Sequence, residues 1–436
     1  MKGLNGAFSD NNKANPVEGV IASGGSPVKY VIIGNSAAAI GAVEGIRQID
    51  RQGEITVITN EPHHTYSRPL ISYLLLGKVT EENMRYRGDG FYTENNCTLM
   101  SGAAVAEIDA GKKQVVLADG ARVPYDKLLV ATGSSAFVPT FEGLETVPNK
   151  YTFMSLNDAR SLGKALDKSK RVLIIGAGLI GLKCAEGILE RVSHVTVLDL
   201  APRILSSILD EDGAELVQSH LEGKGMEFKL SCNIKCFEKN TAVLEDGERI
   251  AFDLLVLAVG VRPNTALLKG IAEIGRGIVI NEKSETTAAD IYAAGDCTQT
   301  LDVSSGQSRI MALLPNAYMQ GECAGINMAG GGKGFNKAIP MNAIGFFGLH
   351  IITAGNYNGD VHTVKGDGNC KRLYYSDNRL NGYILIGNVE KAGIYTSLIR
   401  ERTPLDTVDF ALICEKPGLM AFTQEDRMLK LGGVAR

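Results

Sequence analysis

The chain of 436 residues has no tryptophan, and aromatic residues make up only 6% of it. Neither sign of charge is in surplus: 45 Lys and Arg stand against 49 Asp and Glu, a formal net charge of −4. That balance gives no electrostatic ground for nucleic acid or an anionic membrane as partner. No apolar run reaches the roughly 18 residues that a membrane-spanning helix requires. Residues 1–27 are polar, rich in Gly, Asn and Ser. They contain no apolar stretch of about 7–15 residues, so they do not read as a secretory signal, and they cannot form a core of their own. A cytoplasmic protein is expected.

Eight cysteines in a chain this long do not make a disulfide framework. Cys232 and Cys236 form a CxxxC in a strand-like segment, which fits neither a redox CxxC nor an iron–sulfur or zinc pattern. No cysteine lies between residues 28 and 96. Small buried thiols are the expectation. His63 and His64 read as an exposed pair without ligand-spaced companions, so no metal is assigned. No acid–base dyad or catalytic triad is evident.

Glycine is abundant, at 50 residues, and it punctuates a β–α rhythm. "KYVIIG", "EITVIT", "KLLVATG", "RVLIIGAG", "HVTVLD", "DLLVLAVG" and "DIYAAGD" are short runs, apolar throughout, that end in Gly, Asp or Thr. Such runs suit parallel strands buried on both faces. Helical stretches at 178–190 and 211–224 lie between several of them. The pattern is α/β and doubly wound, and it occurs twice. Beyond about residue 335 the texture changes to alternating strands, "HTVKGD", "CKRLYYSD" and "LNGYILIG", and then a helix at about 391–401. The expected fold is therefore two Rossmann-like domains plus a C-terminal α+β domain.

In the second repeat, "RVLIIGAGLIGLKCAEGILERVSHVTVLD", a strand runs into Gly176, Gly178 and Gly181, and a helix follows at once. The first glycine makes the tight turn, the second lets backbone approach a pyrophosphate, and the third allows close helix–strand packing. The helix start, with Leu179 and Ile180, offers unpaired N–H groups to phosphates. Asp199 ends the next strand, where a carboxylate accepts from the adenine ribose hydroxyls and repels a 2′-phosphate. NADH is favoured over NADPH. The first repeat, "YVIIGNSAAAIG", keeps only Gly34, with Ser36 and Ala39 in the other two places. Ser36 is small and carries a hydroxyl that can donate to phosphate, Ala39 is an accepted packing variant, and Glu61 follows the next strand as a candidate ribose acceptor. Two strand ends, "LLVATGS" and "IYAAGDC", add Gly295 for close approach and Asp296 as a carboxylate for a ribitol or phosphate-side hydroxyl.

Taken in order, the degenerate first fingerprint, "ATGS", "GAGLIG", "VGVRPN" and "AAGDC" resemble the FAD- and NAD(P)H-dependent pyridine nucleotide–disulfide reductase superfamily over about residues 29–400. The resemblance implies FAD on the first fingerprint and NAD on the second, with the NAD domain (148–274) inserted in a FAD domain (28–147 and 275–334) ahead of the C-terminal domain (335–436). It implies FAD contacts at Gly34, Ser36, Ala39, Glu61, Arg68, Pro69, Val105, Thr132, Gly133, Gly295, Asp296 and Ala317. NAD contacts are implied at Gly176, Gly178, Leu179, Ile180, Gly181, Asp199 and Gly260. It also aims the helix that starts near Pro315 at the flavin pyrimidine, where its dipole stabilises negative charge.

The disulfide branch carries CxxxxC beside the flavin, and the NADH oxidase, peroxidase and coenzyme A-disulfide branch carries one cysteine. Here Arg68, Pro69, Leu70, Ile71 and Ser72 stand there instead, so a thiol relay lacks its nucleophile. "YSRPLIS" is similar to rubredoxin and ferredoxin reductases, to the flavin module of assimilatory nitrite reductase, and to flavoprotein subunits of phenylglyoxylate-type 2-oxoacid dehydrogenases. Lys183 stands where the family commonly has Glu, and Tyr73 where it has the partner Lys, which suggests a retained contact of different chemistry. A Lys183 cation facing the flavin would favour its reduced anionic form. The resemblance implies hydride exchange between nicotinamide and flavin, with an iron–sulfur electron-transfer protein, or the other subunits of a larger complex, as partner. A stand-alone rubredoxin or ferredoxin reductase, an NADH oxidase and a redox-sensing flavoprotein without turnover are the alternatives. The coreless extension is left for contact with another subunit or with its own domain.

Overall fold

Lys29–Ile33, Glu54–Thr59, Cys97–Ser101, Lys127–Val130 and Ile291–Ala293 pair into one all-parallel sheet in the computed structural model, which describes residues 26–432. The strand Lys29–Ile33 lies at the centre, flanked by Glu54–Thr59 and Lys127–Val130. A second parallel sheet repeats that order around Arg171–Ile175, with His194–Leu198 and Glu227–Lys229 on one side and Leu254–Leu257 and Lys150–Thr152 on the other. Both central strands are buried after their charged first residue, Lys29 or Arg171, because both of their faces are covered. Each half also carries a three-stranded antiparallel meander, at residues 105–124 and 234–251. Cys236 lies in the second of these, whereas Cys232 lies just before its first strand.

The chain passes between the halves on an antiparallel ribbon, Ser134–Ala136 against Val261–Pro263. The strand Ile291–Ala293 then returns to the edge of the first sheet beside Lys127–Val130. It leads to the helix Leu314–Met328, which packs along the fingerprint helix Ala37–Ile49. Two glycines on each helix make this possible. A methyl group at Gly41 or Gly45 would overlap the carbonyl oxygens of Tyr318 or Glu322, and one at Gly321 or Gly325 would overlap those of Ala38 or Ala42. The two backbones meet directly, as only glycine allows.

Residues 341–386 form a five-stranded antiparallel sheet in the order Met341–Phe346, Leu349–Gly355, Arg379–Ile386, Asn369–Ser376, Asp360–Gly366, backed by the helix Ala392–Arg400. Three of these strands and that helix follow from the sequence pattern. The first two strands and the helices Phe410–Glu415 and Gln424–Gly432 were not anticipated, because their apolar residues are sparse or lack one clear period. The sheet docks on the second half through the helix Glu211–Glu222 and the residues just before it. Arg372 pairs with Asp210 at 2.8 Å, Tyr374 donates to the same carboxylate, and Tyr357 donates to the Ile208 carbonyl.

Candidate functional site: two nucleotide cradles and the segment between them

The two fingerprint turns are built alike. Gly34 N–H donates to the Ile58 carbonyl and Gly176 N–H to the Leu198 carbonyl, each at 2.8 Å. Both glycines have positive φ, +121° and +114°, and a side chain on either would overlap a carbonyl oxygen, that of Ala131 or of Ala258. In the second turn a methyl group at Gly181 would overlap the Gly176 oxygen, whereas Gly178 faces open space. Gly133 and Gly260, two residues beyond Ala131 and Ala258, also have positive φ and nothing within 4 Å of a would-be Cβ. Each half thus presents a helix N-terminus beside side-chain-free backbone, which suits a pyrophosphate. Leu179 and Ile180 begin the second helix, partly covered. Ser36 caps the first helix with its backbone only, so its hydroxyl is not spent on the cap. The buried Ala39 takes the place of the packing glycine.

Matching the two turns residue by residue puts Thr59, not Glu61, opposite Asp199. Asp199 is pinned by two backbone donors, Ala177 N–H at 2.6 Å and Ala201 N–H at 2.8 Å, which leaves further lone pairs for a ligand hydroxyl. Glu61 lies two residues past Thr59. Its carboxylate accepts from Tyr66 Oη at 2.8 Å and forms an ion pair with Arg68, whose guanidinium also reaches the Met154 carbonyl and lies over the Tyr66 ring. Arg68 and Pro69 sit on a single 3₁₀ turn, Arg68–Leu70, with Pro69 exposed.

Asp296 follows Gly295, whose φ of +84° and N–H bond to Gln320 Oε1 fix the turn. Burial pushes the Asp296 carboxyl above the usual carboxylate range, opposed by Ser134 Oγ–H at 3.4 Å and by the positive charge of Arg68. Arg68 thus feels two carboxylates, Glu61 and Asp296. An added Cβ at Gly295 would stand 3.2 Å from Ala38 Cβ and 3.5 Å from Ala317 Cβ, so this strand end meets the first turns of both packed helices. Thr132 and Gly133 are laced to Asn264. Thr132 Oγ1 donates to the Asn264 carbonyl, Asn264 Nδ2 donates to the Thr132 carbonyl, and Asn264 N–H donates to the Gly133 carbonyl. Val105 opens the first meander, two residues after Ala103, whose N–H donates to the Thr59 carbonyl.

Lys183 and Tyr73 meet: the Nζ lies 4.6 Å from the Tyr73 ring centroid and 5.5 Å from that of Phe346. The cation also pairs with the buried Glu186 and reaches the Gly345 carbonyl at 3.2 Å. Glu186 in turn accepts the Phe347 N–H at 2.9 Å. With Glu186 beside it, Lys183 is no isolated positive charge. The helix Ile71–Leu75, which carries Tyr73, packs on the second half, where Arg191 donates to the Leu75 and Gly163 carbonyls.

The eight cysteines are all free, and none stands in 68–76. Burial pushes the thiols of Cys97 and Cys297 up to about 11 and raises those of Cys184, Cys323 and Cys370. Thiolate chemistry is disfavoured at each of these. Among the described residues no group of three or more His, Cys, Asp or Glu side chains could hold a metal, and no helix is long and apolar enough to cross a membrane. Residues 1–25 of the polar extension lie outside the described residues.

Residues 28–321 match the pyridine nucleotide-disulphide oxidoreductase family. The chain belongs to that family. Among curated relatives, the NADH-dependent phenylglyoxylate dehydrogenase subunit epsilon of Aromatoleum evansii is 32% identical, over 86% of this chain and 92% of that protein. The rubredoxin-NAD(+) reductase of Pseudomonas putida is also 32% identical, over 69% of this chain and 80% of its own length. The crystal structure of the covalent putidaredoxin reductase–putidaredoxin complex shares the fold, with a TM-score of 0.83 and 24% identity over 90% of this chain and 97% of that one. This pyridine nucleotide-disulphide oxidoreductase is a flavin-dependent NADH oxidoreductase, and FAD and NAD(H) are its cofactors. The empty space at Gly178, Gly133 and Gly260 fits those groups. Asn264, Tyr66, Gln320 and the paired glycines of the two packed helices were missed by sequence reasoning. Asn264 ends the quoted "VGVRPN", and "GAVEG" and "GECAG" repeat one glycine spacing, so both signals were present.

Proposed function

We propose that this oxidoreductase moves electrons between NAD(H) and an iron–sulfur protein, as the NAD-reducing subunit of a 2-oxoacid dehydrogenase complex of the phenylglyoxylate type. The observation that carries this reading is the thiol-free segment 68–76: without a cysteine there, electrons need an exit outside the chain. The near full-length likeness to an epsilon subunit supports the choice of complex.

In this reading residues 28–147 and 275–334 hold FAD and 148–274 hold NAD. FAD supplies the exchange of a hydride with nicotinamide for electrons leaving one at a time. The chain's own residues bind and orient. Gly34, Ser36, Gly133 and the N–H groups after Ser36 receive the FAD pyrophosphate, and Asp296 accepts from a flavin-side hydroxyl. The start of the helix Leu314–Met328, held to Gly295 through Ala317, directs its positive end toward the flavin ring. Gly176, Gly178 and Gly181 receive the NAD pyrophosphate, with Asp199 on the adenosine ribose. Ile71 and Leu75 are buried in one core cluster with residues of the second half, which holds the Arg68–Leu75 segment against it.

The test is isolation of the tagged full chain under anaerobic conditions. Bound flavin, iron and labile sulfide are assayed, and then NADH-driven reduction of a ferredoxin-like protein is compared with reduction of O₂. One FAD per chain, co-isolated iron–sulfur subunits and ferredoxin reduction much faster than O₂ reduction are expected. A chain found alone and iron-free, unable to reduce or oxidise any ferredoxin-like protein, overturns the reading.

A further inference from the structure

Two buried polar atoms beside the first fingerprint have no hydrogen-bond partner among the described residues: His64 Nε2 and Thr65 Oγ1. Both belong to the segment that follows Glu61, read from sequence as an exposed pair of histidines. In the structure His64 is partly covered and turns inward. Its ring packs edge-on to Tyr92 at 5.2 Å, and Tyr92 Oη donates to Asn35 in the fingerprint turn at 2.7 Å. His63, in contrast, is tied to Asn157 at 2.9 Å.

The cavity that His64 lines is bounded by Asn35 and Ser36 from the fingerprint and by Thr59, Glu61 and Arg68. Of these two atoms His64 Nε2 belongs to a residue that lines this polar cleft, and an unpaired buried polar atom there marks a place for a ligand. The hydrogen bonding of the ring fixes what kind. His64 Nδ1 lies 3.1 Å from the Thr65 carbonyl, which can only accept, so in the neutral ring Nδ1 carries the proton. Nε2 is then an acceptor and asks for a donor. Thr59 ends the second strand and Glu61 follows it, where the adenosine ribose of a dinucleotide lies. A ribose hydroxyl there is such a donor.

We propose that His64 is a binding residue for the adenosine half of FAD and helps the first cradle select FAD over FMN. Nε2 accepts from a ribose hydroxyl. This rests on the first fingerprint being the FAD site.

The experiment titrates the full-length chain, stripped of flavin, with FAD, ADP and FMN separately, following protein fluorescence and heat. His64→Phe keeps the edge contact to Tyr92 but lacks the ring nitrogens. It is expected to weaken FAD and ADP by about tenfold each, the worth of one hydrogen bond, and to leave FMN unchanged. His64→Gln, which restores an acceptor, should recover most of the loss. Unchanged ADP binding in His64→Phe overturns the proposal, as does an equal loss for FMN or a loss that His64→Gln does not repair. A parent chain that binds neither FAD nor ADP overturns the site assignment and this proposal with it. A parent that binds both, with indifferent variants, overturns this proposal alone.

Discussion

Lys183 Nζ lies 4.6 Å from the centre of the Tyr73 ring, and the same cation is paired with the buried Glu186. The contact joins the helix after the second fingerprint to the segment next to the first cradle, and through the Gly345 carbonyl it includes the C-terminal sheet. Lys183→Met would leave Glu186 buried with one backbone donor only. It is expected to destabilise the fold by about 3 kcal/mol, and the pair Lys183→Met with Glu186→Leu to recover most of that. Denaturant midpoints of the two variants decide.

Gly181→Ala should abolish tight NADH binding and leave FAD content unchanged. Its methyl would overlap the Gly176 oxygen and push the second helix off its turn. Gly321→Ala should do the reverse, costing FAD by separating the packed helices at Ala38. Flavin absorbance per chain and NADH titration separate the two outcomes.

Asp199→Ser is expected to narrow the preference for NADH over NADPH, chiefly by weakening NADH. The carboxylate that would repel a 2′-phosphate goes, and so do the acceptors of the Ala177 and Ala201 N–H groups. Flavin reduction rates with each nucleotide check this. Equal use of both by the parent chain would refute the role given to Asp199.

Asp296 predicts a pH dependence in the flavin-free chain. Its folded pKa is raised by burial, so the folded state takes up a proton before the unfolded state does as pH falls. Stability contributed by this group therefore rises as pH drops from above the raised value toward the ordinary Asp value near 3.8, and falls again on the way back. Asp296→Asn should remove that slope. Melting temperatures of parent and variant should converge at the acid end of the window and separate toward neutral pH, with the variant the more stable.

Replacing the eight cysteines one at a time by Ser should leave flavin reduction by NADH intact, since none stands in the 68–76 segment and several are buried thiols. Stopped-flow bleaching of the flavin gives the readout. A single replacement that stops reduction without loss of FAD would put the chain in a thiol-relay branch.

The sequence by itself determined the two nucleotide halves and the class of cofactor. Gly34, Gly176, Gly178 and Gly181 answer to backbone conformation and close approach within one strand–turn–helix, so their meaning is local. The apolar strands likewise announce parallel sheets because both faces must be covered. Tertiary structure alone decided which side chains share a site. Arg68 holds Glu61 while feeling the charge of Asp296 from another strand end, Asn264 closes on Thr132, and Gly41 and Gly45 meet the backbone of a helix nearly 300 residues on. Lys183 gained Glu186 and a carbonyl of the C-terminal sheet that no pairing with Tyr73 foretold, and His64 turned from the surface into a cleft. Such contacts join segments far apart in the chain, and their geometry is set by how the sheets and helices pack, which no spacing of residues along one segment encodes.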